Sequence, residues 1–483
     1  MPVRIHLLHT NDVHSELAAF ARLVVPLRQL RDLLVAAGEC VFTFDIGDHV
    51  DTSDPVTQAT RGLVNADMLA AAGYDGWVFG NNESLTVAPA DWPALLSHAH
   101  MPLLCSNLHH AGVTEQTREG QLYPCHGVTL GVFGVTVQYS KLHQAIGAGV
   151  SDPVQEAWNR ARTLREQGAD LVVMLSHLGL REDQSLASAG LPVDVILGGH
   201  THHFLDGGQL SGKTYICQAG KYAIAFGHTI LEVALDRQPV LLSARSQLVY
   251  VDRTGPPDDL VQSVVRSHRA MADNALASPV ATLAVRLEHE VLGESLVVNL
   301  LCDQLRAETG ADVAICIGGV VAGSFRAGVV RQRDILANCP TPMRAVVCDL
   351  TGQELRALVA DSLHPSWAAR QGFGYGFRGY CVGRLHVSGG RIVWNSGTGA
   401  GDGAGPVLHQ FFVGHQLVFD DSVYRVALCE YIALGLYSHL FDEEGFRYNS
   451  GLLRDVLARG LADSSRVSEA RSLRYETFGE VGR

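Results

Sequence analysis

Apolar, β-branched runs recur through the first half of the chain, and each stops at a short polar block. The runs are Val3–Leu8, Val41–Ile46, Trp77–Phe79, Leu171–Leu175 and Val193–Leu197. The blocks after them are Asp12-Val13-His14, Gly47-Asp48, Gly80-Asn81-Asn82-Glu83, Ser176-His177 and Gly198-Gly199-His200-Thr201-His202. Runs that are apolar on both faces predict buried strands of a parallel sheet. Functional groups in such sheets collect beyond the carboxyl ends of the strands, so five strand ends bearing Asp, Asn and His are expected to converge on one place. Thr214–Gln218 and Ala223–Ala234 predict further strands that close a first domain, and Ser243–Val251 continues their alternation.

Thr254-Gly255-Pro256-Pro257-Asp258-Asp259 then breaks the strand pattern and provides a helix start. The helix is expected to present Leu260, Val264, Val265 and His268 on one face. The chain is thus expected to divide into a first domain over 1–253, a linker helix over 254–278 and a second domain over 279–483. In the second half, Glu294–Asp303 predicts a helix with Asn299 and Asp303 on one face, and Ala311–Ile317 predicts a strand. Phe373, Tyr375 and Phe377 alternate with glycines between Gly372 and Gly379. That pattern either leaves rings open beside closely approaching backbone or makes a hairpin with ordinary core aromatics. The glycine-rich stretch 397–405 is expected to be a loop, and the polar stretch 463–483 a tail or irregular extension.

Composition narrows the class. At 483 residues the chain exceeds one usual hydrophobic core, and its 47% hydrophobic and 18% charged residues supply core material without a signature of disorder. A net charge of −13 argues against broad binding to nucleic acid or to an anionic membrane. The ten cysteines are scattered with no Cys-x-x-Cys and are expected to be reduced core residues. The first strand begins at Val3 with no export signal before it, so a cytoplasmic location is expected.

Imidazole, carboxylate and amide oxygen without thiolate suit divalent ions such as Mn, Zn, Co or Fe(II), and do not suit a structural zinc knot. In order and spacing the five blocks resemble the calcineurin-like metallophosphoesterases, specifically the 5′-nucleotidase branch, whose opening His-Thr-Asn-Asp-x-His stands intact at His9–His14. The resemblance implies an α/β protein: a four-layer αββα sandwich followed by an α/β 5′-nucleotidase C-terminal domain that caps the site. It also implies two divalent metal ions. Asp12, His14 and His202 are assigned to one, Asn81, His177 and His200 to the other, and Asp48 to a bridge between them. Ions about 3.5–4 Å apart can share a hydroxide that attacks phosphorus. The implied partner is a nucleotide or other phosphorylated small molecule.

Departures from the family pattern bear on mechanism. Most members read Gly-Asn-His-Glu at the third block with an Asp two residues later, a pair that stabilises the transferred group or protonates the leaving oxygen. Here the pair is Asn82 and Leu85. Asn82 can donate to a developing oxyanion but is no general acid at neutral pH. Substrates with good leaving groups, such as phosphoanhydrides, are therefore expected over nucleoside monophosphates. His49, oriented by Asp51, either takes over part of the role or merely packs beside the site. A cytosolic bacterial branch with Gly-Asn-Asn-Glu is similar to this chain at that block. In the second domain Ile317 and Ala322 stand where the family has the Asn and Arg of Asn-Gly-Gly-x-x-Arg. Arg326, with Arg331 and Arg333 nearby, either replaces that arginine or is ordinary surface. The family stacks the base between two aromatic rings, and the candidates are the Phe373–Phe377 segment and Tyr437. Two other readings are a sensor that keeps its metals without turnover, and a sulfur-ester hydrolase like the thiosulfohydrolase branch of the family.

Overall fold

The computed structural model describes residues 2–113, 117–235, 239–374, 376–396, 405–438, 441, 445–449 and 451–478. Tyr375 and residues 397–404 of the expected glycine loop lie outside the described residues. The chain divides into two compact units, Met1–Asp273 and Asn274–Arg483.

The first unit holds two principal sheets. One has the strand order Pro239–Tyr250, Ala225–Leu235, Val3–Thr10, Cys40–Asp45, Gly76–Trp77, and its last three strands run parallel. The other has the order Gln209–Ser211, Thr214–Gln218, Val195–Gly198, Leu171–His177, Val128–Thr136, Gln121–Cys125, with its four central strands parallel. The five runs expected to form one parallel sheet are therefore split, three in the first sheet and two in the second. Their uniform burial hides the split in sequence, because strands covered on both faces look alike in either sheet. The sheets meet through side chains: Tyr123 lies 5.2 Å from Phe42 and 5.9 Å from Phe44 between ring centroids, and the Thr229 hydroxyl lies 3.3 Å from Cys217 Sγ. Helices including Leu17–Ala36 and Pro153–Glu166 pack on the strands, giving the expected sandwich.

This packing corrects the cysteine expectation. Cys40 and Cys125, 85 residues apart in sequence with Cα atoms 6.2 Å apart, form a disulfide between a strand of one sheet and a strand of the other. The other eight cysteines are free and buried. Linear spacing carries no trace of a pairing made by two sheets meeting.

The helix after the boundary runs Asp259–Leu276 and buries Val261, Val265, His268 and Ala272, while Leu260 is 56% exposed. Val265 and His268 are buried as expected, but the face is rotated from Leu260 towards Val261. Two ties fix that rotation: Arg28 binds Asp258 at 2.9 Å, and His268 Nε2 lies 2.6 Å from Asp67. Among the described residues no helix is long and apolar enough to cross a membrane.

The second unit has a five-stranded sheet ordered Leu385–Ser388, Val313–Ile317, Val423–Cys429, Ala345–Thr351, Arg447–Tyr448. The helix Leu296–Thr309 is capped by Ser295, whose side chain accepts from Val298 N–H, and it packs on that sheet. Asn299 and Asp303 share its inner face, where Asp303 meets Arg474 at 2.9 Å. That ion pair helps order the C-terminal stretch expected to be a tail. Ser464–Glu469 is helical, and Tyr475–Thr477 pairs in parallel with Gly390–Asn395.

Candidate metal centre

The five polar blocks do converge. Asp12 and His14 follow the strand Val3–Thr10, Asp48 follows Cys40–Asp45, and Asn81 opens the helix Asn81–Thr86. His177 ends Leu171–His177, while His200 and His202 follow Val195–Gly198. Ligand atoms of Asp12, His14 and His202 lie within 4.8 Å of one another, and so do those of Asp12, Asp48 and His177.

Backbone conformation aims these side chains. Eleven non-glycine residues among those described have positive φ, and five of them are Asp12 (53°), His14 (49°), Asp48 (51°), His200 (72°) and His202 (60°). Such conformations are uncommon outside glycine and gather at functional sites. Gly80 allows two loops to close: a side chain there would strike the Asp48 carboxylate and the His177 ring.

The contacts fit metal ligation. His14 Nε2 is 3.1 Å from His202 Nε2 and 3.8 Å from Asp12 Oδ1, and His202 Nε2 is 3.4 Å from the same oxygen. A tetrahedral ion with bonds of about 2.0–2.1 Å sets its ligands roughly 3.3 Å apart, so this triangle is of the right size. In the other half, His177 Nδ1 donates to the Ile46 carbonyl at 2.7 Å. Its Nε2 is fully buried without a hydrogen-bond partner, 3.4 Å from Asp48 Oδ1. A ring fixed through one nitrogen, with the second turned to a carboxylate and hydrogen-bonded to nothing, is placed as a metal-ligating histidine is. His200 Nδ1 faces Asn81 Oδ1 at 2.9 Å.

Charge follows from this crowding. Burial alone would raise the Asp48 carboxyl, but the charge of His177 beside it, the His14 charge and the Asn82 N–H outweigh it and hold it well below the usual range. Burial lowers His177, yet Asp48 and Asp12 carry it up to about 10. Burial and the His177 charge push His200 down to about 4.

Glu83, given no role on sequence, clamps two of the loops. Its carboxylate accepts from Asp48 N and Gly80 N at 2.9 Å and from Val50 N at 2.8 Å. Burial and the Asp48 charge raise it to about 7. A glutamate at the third position of a helix, reaching back to its start, is the signal that could have found it. Asn11 acts similarly, donating to Asp12 Oδ2 at 2.7 Å and to the Gly220 carbonyl at 2.6 Å.

Family matches agree with this geometry. The calcineurin-like phosphoesterase model matches residues 5–204, and the 5′-nucleotidase, C-terminal domain model matches residues 277–441. The uncharacterized metallophosphoesterase YunD of Bacillus subtilis is 30% identical over 474 residues, covering 96% of this chain and 100% of YunD. The chain belongs to the calcineurin-like phosphoesterases, in the 5′-nucleotidase branch. Human 5′-nucleotidase is 24% identical over 62% of this phosphoesterase and 59% of its own length. The putative 5′-nucleotidase of Staphylococcus aureus shares the fold at a TM-score of 0.67 and 16% identity, covering 98% of this chain and 99% of its own. The chain is accordingly a hydrolase of phosphate ester bonds, from a family that uses divalent metals.

The geometry changes three catalytic expectations for this phosphoesterase. His49 is fully buried, its Nδ1 meets Asn65 Nδ2 at 3.1 Å, and its ring packs edge-on against Phe20 at 4.6 Å. Burial, with the His14 charge, lowers it to about 3, so at neutral pH it is the neutral imidazole and not an imidazolium acid. Asp51 does not orient it: Asp51 accepts from Ser53 N at 2.8 Å and stands 4.0 Å from His14 Nδ1. Asn82 is buried as well, with its amide donating to the Val50 carbonyl at 2.8 Å and lying 3.0 Å from His14 Nδ1. It therefore stands against the His14 ring, with an amide hydrogen committed to the Val50 carbonyl.

In the second unit the aromatic candidates separate. Phe377 is buried and stacked on Tyr431 at 4.6 Å, and it fills the space that side chains at Gly319, Gly372 and Gly379 would need. Tyr437 is buried too, accepting from Trp367 Nε1 at 2.9 Å. Both are core residues, and the alternating glycines make room for a ring from within. Phe373 is 69% exposed, as is Tyr380 nearby in sequence at 89%, a ring that the glycine–aromatic alternation does not reach. Arg326 is an exposed residue ahead of the strand Gly328–Arg331.

Proposed function

We propose that this phosphoesterase is a dinuclear metal-dependent phosphohydrolase acting on nucleotides or related phosphate esters and anhydrides. One observation carries the reading: His177 Nε2 is buried and bare, 3.4 Å from Asp48, in a cluster that also holds the triangle of Asp12, His14 and His202. Asp12, His14 and His202 would hold one divalent ion, Asn81, His177 and His200 the second, and Asp48 would reach both. Mn, Zn, Fe or Co would suit these donors. Such ions, when bound, supply positive charge that activates water and stabilises charge on phosphoryl oxygens.

The protein's own residues set the rest. Asp48 stays ionised at neutral pH, and Glu83 and Asn11 fix the loops that carry Asp48 and Asp12. At the block where the family has histidine, Asn82 supports His14 and donates no proton. That favours leaving groups that depart unprotonated, hence phosphoanhydrides over phosphomonoesters. Phe373 is the candidate platform for a base, and Arg326 a candidate cation for substrate.

The test is phosphate release by the purified protein with Mn(II), across nucleoside mono-, di- and triphosphates, nucleotide sugars and bis(p-nitrophenyl) phosphate, with Asp48→Asn as control. Turnover on the anhydrides that disappears in the control is expected. Two bound metals without turnover on any substrate would identify a sensor instead.

A further inference from the structure

The turn between Thr214–Gln218, in one sheet, and Ala225–Leu235, in the other, runs past the metal cluster. It is anchored there by main-chain contacts: Tyr222 N donates to the Asp12 carbonyl at 2.9 Å, and Gly220 N to the His203 carbonyl at 2.9 Å. Tyr222 and Ala223 take φ of 61° and 52°, a conformation that bulky and β-carbon-bearing residues seldom keep without a local reason. The result is that the Tyr222 ring stands against ligand His14, 5.7 Å between centroids, while remaining 37% exposed. The Lys221 ammonium lies over the same ring, 4.5 Å from its centre. A cation is thereby held one aromatic ring away from a metal ligand, in a cluster whose own side chains are carboxylates, amides and imidazoles.

We propose that Lys221, placed by Tyr222, receives the second phosphate of a phosphoanhydride and so selects substrates with two or more linked phosphates. The inference rests on the phosphohydrolase reading and specifies its substrate class. In the reaction a water oxygen bonds to the terminal phosphorus and the P–O bond to the next phosphate breaks. The electron pair stays on the departing oxygen, and the water proton leaves to solvent. Negative charge thus grows on the departing phosphate, and the Lys221 ammonium faces it. This is electrostatic stabilisation of a leaving group, which can offset the absence of a proton donor at Asn82. The Tyr222 face holds the ammonium by its ring quadrupole and limits the rotamers lost on binding.

The experiment uses the full-length, Mn-loaded protein and two readouts: affinity for pyrophosphate and for orthophosphate by calorimetry, and the relative catalytic efficiency on ADP and AMP. Lys221→Ala is expected to weaken pyrophosphate binding about tenfold while orthophosphate changes less than about threefold, as for loss of one charge-assisted contact. The ADP-to-AMP preference should fall in parallel, metal stoichiometry should be unchanged, and Lys221→Arg should restore most of the loss. Tyr222→Leu should give part of the same defect. Equal losses for both anions, or none, would overturn the assignment. Should the wild type hydrolyse nothing yet bind pyrophosphate through Lys221, the hydrolase reading fails while the anion site stands. Should it hydrolyse ADP and AMP with a ratio that Lys221→Ala leaves intact, only the anion site fails.

Discussion

His177 turns Nε2 towards Asp48, 3.4 Å away, while its other nitrogen is committed to the Ile46 carbonyl. In the metal-free protein this pair is an imidazolium and a carboxylate. The folded-state pKa of His177, about 10, lies above the ordinary 6.5, so the pairing stabilises the fold fully below pH 6.5 and is lost as pH rises through about 10. Urea unfolding of chelator-treated protein across that window should show a falling midpoint, and His177→Asn should flatten the fall. Equal slopes in the two proteins would show that His177 does not carry the effect. A divalent ion must displace the same proton, so metal affinity should rise with pH over the same range.

His49 gives a contrasting expectation. Its ring fills a place beside Phe20 and Asn65, so His49→Ala opens a buried cavity and should cost about 2–4 kcal/mol. Turnover per folded molecule should stay within about twofold of wild type below the lowered melting temperature. A loss of turnover of about a hundredfold or more, the size expected when a general acid is removed, would return a catalytic role to this histidine.

Glu83 holds three backbone N–H groups from two loops. Glu83→Ala leaves those donors buried without an acceptor and is expected to cost on the order of 3 kcal/mol and to weaken metal retention. Glu83→Gln, which keeps one carbonyl acceptor, should fall between. Metal content after dialysis and thermal melts test the pair; normal metal retention in the Ala variant would show that the loops stand without the clamp.

The disulfide between Cys40 and Cys125 leaves eight free cysteines, so denatured, unreduced protein should expose eight thiols to Ellman's reagent. Reduction should bring the total to all ten. The double variant Cys40→Ser, Cys125→Ser keeps only the eight free cysteines and should give the same reading before and after reduction. Ten thiols in the unreduced wild type would remove the bond.

The convergence of the candidate ligands is legible in sequence because each closely follows a buried strand, and strand ends are positions that hydrophobic periodicity locates well. What periodicity cannot supply is the company a side chain keeps. His49 is adjacent to Asp48 in sequence, yet it turns into the core towards Asn65 and Phe20. Phe377 and Tyr437 look open among glycines and polar neighbours, and both are buried by segments distant in sequence. The capping position of Glu83 is visible in sequence, but the Asp48 and Val50 N–H groups it holds are brought to it by the fold. The division of the five runs between two sheets is hidden as well, because a strand covered on both faces carries no mark of which sheet it joins.

The left-handed backbone at Asp12, His14, Asp48, His200 and His202 has a consequence for transplanting this site. Copying the ligand side chains onto the strand ends of another α/β protein would reproduce the chemistry of the donors and miss their aim. The loops themselves are the heritable unit: they set the donors in position while the chain folds, so an arriving ion finds a finished socket, and an engineer must graft main chain together with side chain.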